Sequence, residues 1–431
     1  MKQTIGPMIC KLNLNAPEGD AKNRATAPRS AEKRHAFPWK PHLLGALLCL
    51  ILIPGLVLLL QHSGGSESSA QNARSDDTVS SDVVYKVAMI TDYGDVFDQS
   101  FNEATYTACK SFCEENNIAF TCYRPPNDSA SDRLEMVQKA VDDGYNVIVM
   151  AGFIFMDTLP TAQDRYPDVK FVTLDVYEAD LQYYSADGAA RIADNAYCAV
   201  YQEHLSGFMA GYAAVMLGYD QLGFLGGMAT PAIMRYGYGF VQGCDAAAQK
   251  LGKSVSLKYV YGNQFFGDAD ITEAMDAWYE AGTQVVFACG GGIYTSAAEA
   301  AARNGGKVIG VDVDQAASID GDYGQGITVT SALKGIAASV RHVLSETILY
   351  GRWEHLGGKE EALGLVSGDD PSMNYVGLPT GAGTQWSDSF TVNDYYALVQ
   401  NMFNGSITVS NQIDSTPEPA AVRVEWQGAI K

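Results

Sequence analysis

At 431 residues, with 47% hydrophobic and 18% charged side chains, the chain can bury a large core and exceeds one compact lobe, which excludes a mostly disordered protein. Its formal net charge of -21 speaks against a nucleic-acid or anionic-membrane surface, since both need clustered Lys and Arg. The eight cysteines show no close CxxC pair and no neighbouring His, so no metal signature is present and no cofactor is expected.

In chain order, residues 1–42 form a basic leader with eight Lys and Arg against three acids. Leu43 to Leu60 is an uncharged apolar run, LLGALLCLILIPGLVLLL, long enough for a transmembrane signal-anchor at about 1.5 Å rise per residue. Basic residues ahead of a first span favour a cytoplasmic N-terminus, which places everything after Gln61 outside. Cys49 follows two leucines inside the run, so a lipoprotein signal is disfavoured; cleavage near Ser63 remains an alternative. Residues 61–82, rich in Gly, Ser and Asp, read as a flexible linker.

Residues 83–431 alternate short apolar runs with amphipathic stretches, the pattern of parallel strands covered by helices. Strands are expected at Tyr85 to Thr91, Ile118 to Tyr123, Asn146 to Ala151, Lys170 to Leu174, Ala196 to Tyr201, Gln221 to Leu225, Val255 to Tyr261, Gln284 to Ala288 and Lys307 to Val311. Helices are expected between them, and a long one at Leu333 to Tyr350, before an irregular tail. So many units suit an α/β architecture of two doubly wound lobes, with a single closed barrel as the runner-up. Cys109, Cys113 and Cys122 are expected as buried free thiols, the alternative being a disulfide to Cys122.

In open parallel sheets ligands bind beyond the carboxyl ends of the strands, so the loops there hold the candidate residues. After the first strand come Asp92, Asp95, Asp98, a capping Ser100, Phe101 and Asn102; no GxGxxG and no EF-hand spacing is present. After the seventh come Phe265 and Phe266, of which at least one is available to a cleft. Cys289 is followed by Gly290 and Gly291, which allow close backbone approach. Asp312 ends the ninth strand and Lys334 opens the helix after Thr330 and Ser331; a carboxylate beside an ammonium suits a vicinal diol.

The block MITDYGDVFDQSFNEA resembles the opening motif of the basic-membrane-protein family of ABC-transporter substrate-binding proteins, which includes purine-nucleoside receptors. The likeness continues in GFIFMDTL, GFLGGMATPAIMRYGYGFVQG, CGGGIYTSAAEAA, VIGVDVDQ and TSALKG, in the same order. That resemblance implies a type I periplasmic-binding fold, two lobes around a deep cleft, preceded here by the transmembrane helix. It implies a base held between Phe101 and one of the paired aromatics, with Phe266 preferred, and Asn102 and Asp92 on the polar edge of the base. Asp312 and Lys334 would hold the ribose hydroxyls, Glu203 would accept purine N–H groups, and Gly290 and Gly291 would let the backbone approach the sugar. The expected function is nucleoside capture, a purine nucleoside first, for an ABC permease and ATPase, by a membrane-anchored monomer that is not an enzyme. A sugar or furanose-type receptor, a sensor ectodomain and a nucleoside-cleaving enzyme are the competing readings.

Overall fold

The computed structural model describes residues 83–431 apart from 93–95 and 190. The leader, the span at 43–60, the linker and Asp95 lie outside the described residues. Among the described residues, no helix is long and apolar enough to cross a membrane.

The first lobe alternates strand and helix: β1 (Lys86–Ile90), α1 (Phe101–Glu115), β2 (Ala119–Tyr123), α2 (Ala130–Asp142), β3 (Val147–Ala151), α3 (Leu159–Arg165), β4 (Lys170–Leu174), α4 (Glu178–Leu181) and β5 (Ala196–Tyr201). The second begins with α5 (Glu203–Met216) and continues β6 (Gln221–Gly226), α6 (Pro231–Leu251), β7 (Val255–Tyr261), α7 (Ala269–Glu280), β8 (Val285–Cys289), α8 (Tyr294–Asn304), β9 (Lys307–Asp312), α9 (Ala316–Tyr323) and β10 (Thr328–Lys334). The chain then returns to the first lobe with α10 (Ile336–Leu344) and β11 (Lys359–Leu363). It ends in the second with β12 (Val376–Gly377), α11 (Val392–Phe403) and β13 (Val422–Ala429).

Two separate sheets result, ordered β11-β5-β4-β3-β1-β2 and β12-β10-β9-β8-β6-β7-β13. All pairs are parallel except β10 with β12. β1 and β3, like β6 and β8, run side by side with their connections leaving on opposite faces, which opens a crevice at the carboxyl edge of each sheet. The inner strands β3 (VIVMA) and β8 (VVFAC) are apolar throughout because helices cover both faces. The barrel alternative is overturned: neither sheet closes on itself.

Three chain crossings join the lobes, after β5, after β10 and after β11. The helix expected at Leu333 to Tyr350 is corrected by the second. Leu333 and Lys334 pair with β12, and Leu333 also pairs with Asp312, so both belong to β10; the helix starts at Ile336. The strand is buried, so its apolar residues ran into the helix pattern without a visible break.

Where the chain enters the second lobe, α5 and α6 meet backbone to backbone. A Cβ at Gly207 would sit 2.1 Å from the Tyr236 carbonyl oxygen, one at Gly239 2.1 Å from that of His204, and one at Gly243 2.0 Å from that of Phe208. Close approach fixes the direction in which α6 starts at the cleft. Gly239→Ala is therefore expected to lower stability by roughly 1–3 kcal/mol through overpacking, read as a lower urea midpoint at unchanged slope.

Candidate functional site

Strand ends and the loops after them, from both lobes, converge on one cavity. Asp92 follows β1, and Phe101 and Asn102 open α1; Asp175 follows β4, Phe265 follows β7, Gly290 and Gly291 follow β8, and Asp312 and Lys334 end β9 and β10. The cavity and its mouth together hold about 620 Å³ free of protein atoms. It is a narrow slot between the lobes.

The N-terminus of α1 is built differently from the expectation. Asp98, not Ser100, caps it: its carboxylate accepts from the backbone N–H groups of Ser100, Asn102 and Glu103 at 2.9, 3.1 and 3.1 Å. Ser100 is thereby released to donate its hydroxyl to Asp312 Oδ2 at 2.6 Å, across the cleft. Gln315 Nε2 donates to the Gln99 carbonyl at 2.9 Å and makes a second bond between the lobes. Asn102 Nδ2 donates to Asp92 Oδ1 at 3.2 Å, while Asn102 Oδ1 is buried without a hydrogen-bond partner.

Phe265 lies on the slot wall, whereas Phe266 is 55% exposed and faces outward, so the preference for Phe266 is corrected in favour of its neighbour. A bridge between Phe266 and Gly292 holds the backbone that follows Phe265. Gly227, Gly290 and Gly291 all pack against Phe265. A Cβ at Gly227 would meet Phe265 ring carbons at 2.6 and 2.7 Å, one at Gly290 at 3.0 and 3.2 Å, and one at Gly291 the Phe265 carbonyl oxygen at 2.9 Å. The phenyl group thus lies against bare backbone, and φ of +135° and +52° at Gly290 and Gly291 reinforces the need for glycine.

Lys334 is the hub of the charged part. It ends β10, correcting its assignment to a helix start, and its ammonium lies 2.6 Å from Asp175 Oδ2 and 3.2 Å from Glu203 Oε1. The rings of Tyr201 and Phe101 stand 4.8 and 5.0 Å away. Glu203, expected to meet a purine, is off the cavity wall: it is fully buried behind Lys334 and also takes Arg235 at 2.9 Å. As the first residue of α5, just past a crossing, it is committed to holding two cations. Arg235 in turn stacks on Tyr177 of the first lobe, 4.5 Å from the ring, and donates to its hydroxyl.

Sequence reading missed Asp175, although a signal existed. FVTLDVYE and VIGVDVDQ are the corresponding strand ends of the two lobes, and Asp175 and Asp312 both adopt left-handed backbone, φ 64° and 66°. Aspartate tolerates that region better than most residues, and the kink turns each carboxylate inward toward Lys334. Asp175 Oδ1 is buried without a hydrogen-bond partner. The free-thiol expectation agrees with Cys109, Cys113 and Cys122, which are unpaired.

Burial pushes Asp98 up to about 7 against the pull of its three N–H partners, and Asp175 up to about 6 against Lys334. Asp312 is raised by the same cause. Burial alone would lower Lys334, but Asp175, Glu203 and Asp312 outweigh it and hold the ammonium charged. The folded protein thus binds more protons than the unfolded chain between about pH 4, near the ordinary carboxyl value of 3.8, and about 7. His204, lowered by burial from 6.5 to about 4, opposes this by one proton below pH 6.5. Stability is therefore expected to fall as pH rises from 5 to 7.5, and a urea midpoint that climbed over that range would contradict the assignment. Lys334→Met, which strands the carboxylates, is expected to cost roughly 3–5 kcal/mol near pH 8 and less near pH 5.

The family profile of PnrA-like ABC transporter substrate-binding proteins (Bmp) matches residues 85–377. The ABC transporter nucleoside-binding protein BmpA of Lactococcus lactis subsp. cremoris is 29% identical over 280 residues, 61% of this chain and 74% of that protein. Basic membrane protein A of Borreliella burgdorferi is 26% identical over 329 residues, 75% of this chain and 87% of its own. Among solved structures, an ABC transporter system solute-binding protein from Conexibacter woesei matches with a TM-score of 0.57 at 18% identity, over 76% of this chain and 99% of that one. A solute-binding protein from Aeropyrum pernix matches at 0.56 and 19%, over 75% and 87%. These two likenesses establish the fold, two α/β lobes of the periplasmic-binding kind. With the profile spanning both lobes, the chain belongs to the PnrA-like family of ABC transporter substrate-binding proteins, whose members bind a substrate without transforming it.

Proposed function

We propose that this protein captures a nucleoside, a purine nucleoside first, outside the cell and delivers it to an ABC permease and its ATPase while tethered to the membrane. The observation that carries this reading is the slot itself, narrow enough to favour a flat ligand and flanked by Phe101 from the first lobe and Phe265 from the second. A planar base between aromatic faces gains roughly 1–3 kcal/mol per stacked base. Acceptors suit its donors: Asn102 Oδ1 is buried and unpartnered, and Asp92 adds a carboxylate to the same wall. Asp312, with Lys334 close by, suits the pentose hydroxyls.

Charge supports a nucleoside over a nucleotide. The one guanidinium near the slot, that of Arg235 among the described residues, is engaged by Glu203 and Tyr177, and Lys334 is surrounded by carboxylates. A phosphate would meet net negative charge without a spare donor of opposite sign. The nucleoside-binding name of the Lactococcus lactis relative points the same way, and the lipoprotein names of relatives from Pyrococcus abyssi and Pyrococcus horikoshii agree with a membrane-tethered receptor.

Calorimetry of the purified full-length chain with adenosine, guanosine, inosine, uridine and ribose tests the reading. Binding of at least one nucleoside at micromolar or tighter affinity, with ribose much weaker, is expected. Phe101→Ala and Phe265→Ala should each weaken it by roughly 1–3 kcal/mol, Phe265→Ala more than Phe266→Ala. Ribose binding as tightly as any nucleoside would overturn the assignment.

A further inference from the structure

The slot shares wall residues with a second cavity at each end, and the two ends differ in chemistry. Asp312 and Lys334 line both the slot and a groove on the hinge side, next to Tyr375 and Pro379. Asp92, Asp98, Asn102 and Phe265 line both the slot and an outer chamber at the cleft mouth, which with the solvent in front of it spans about 1000 Å³. The mouth is therefore roomier than the slot behind it.

Aromatic rings from both lobes face this chamber. Phe97 of the first lobe is 67% exposed and Phe266 of the second 55%, with Tyr294 and Tyr323 on the same wall. The outward turn of Phe266 is held in place: its backbone bridges to Gly292, and its carbonyl oxygen accepts from Gln264 Nε2 at 2.8 Å. Two large rings kept in water on opposing lips of a cleft gain apolar contact when something flat covers them. The carboxylates Asp92, Asp98 and Asp322 on the chamber wall repel an anion, so the cover must be neutral or cationic.

We infer that the chamber is a second subsite, continuous with the slot, that takes a planar, uncharged aromatic substituent carried on the nucleobase. This rests on the nucleoside reading above. With the pentose drawn to Asp312 and Lys334 at the hinge end, the base is the part of the ligand nearest the mouth, and a group on its outer edge enters the chamber. The receptor accordingly accepts base-modified nucleosides that a closed slot would reject.

The test compares adenosine with three probes that place an aryl group on different edges of the base: N6-benzyladenosine, 2-phenylaminoadenosine and 8-benzylaminoadenosine. Each is titrated calorimetrically into the full-length chain and into its Phe266→Ala and Phe97→Ala forms, both changes being at exposed positions. At least one aryl probe is expected to bind within about threefold of adenosine or tighter, and at least one of the two substitutions to lower that probe's affinity relative to adenosine by about fivefold or more. All three probes binding more weakly than that, or a ratio that neither substitution moves by this much, overturns the subsite while leaving the nucleoside reading intact. Adenosine, guanosine and inosine all failing to bind would overturn both.

Discussion

The molecule is organised around one buried ammonium. Lys334 stands at the second chain crossing, Glu203 just past the first, and Asp175 reaches them from the opposite lobe. A lone charge in such a place would cost several kcal/mol, so the crossings and the end of β4 are bound to one another by the need to keep Lys334 paired. With Asp312 also facing it, three carboxylates share this cation and Arg235. Fully ionised, the group carries one excess negative charge. Burial resolves the excess by raising Asp175 and Asp312, and the same excess makes the cleft a place for hydrogen-bond donors and a poor place for anions.

The charged groups of this frame stand at strand ends, Asp312 and Lys334 closing β9 and β10 and Asp175 following β4. The nine strands from β1 to β9 announce themselves because they are apolar and bounded by turns or helix starts. β10 merged with α10 because its Ala332-Leu333 end is apolar and only Lys334 and Gly335 stand before the apolar start of the helix. β11, KEEAL, lies at a sheet edge with four of its five residues exposed, and carries no alternation. β12 is two residues long, and β13 joins β7 after more than a hundred intervening residues, a pairing that no local pattern encodes.

Within the site, chemistry was legible and orientation was not. Asp92, Phe101, Asn102, Asp312 and Lys334 line one slot, in agreement with loops picked at the carboxyl edge of the sheet. Phe265 and Phe266 are the same residue type, so composition does not decide which ring turns inward. Gly290 and Gly291 were noticed for their conformational freedom, and Phe265 packs against both, its ring at Gly290 and its carbonyl oxygen at Gly291. Glu203 belongs to the same charge network as Lys334, yet its place at the start of α5 puts it behind the wall.

The partners already present in the cleft also determine where affinity can come from. Asp312 accepts from the Ser100 hydroxyl at 2.6 Å, so a pentose hydroxyl arriving there exchanges one hydroxyl donor for another and gains little net energy. Asn102 Oδ1 and Asp175 Oδ1 have no such partner to give up; a donor placed against either recovers a desolvation cost that folding has already incurred. Under the nucleoside reading proposed above, the Asp312 end of the slot therefore positions the ligand and draws the lobes together more than it adds affinity. On that same reading, discrimination falls to the other end, where the unpartnered Asn102 Oδ1 and the Phe265 ring line the same cavity.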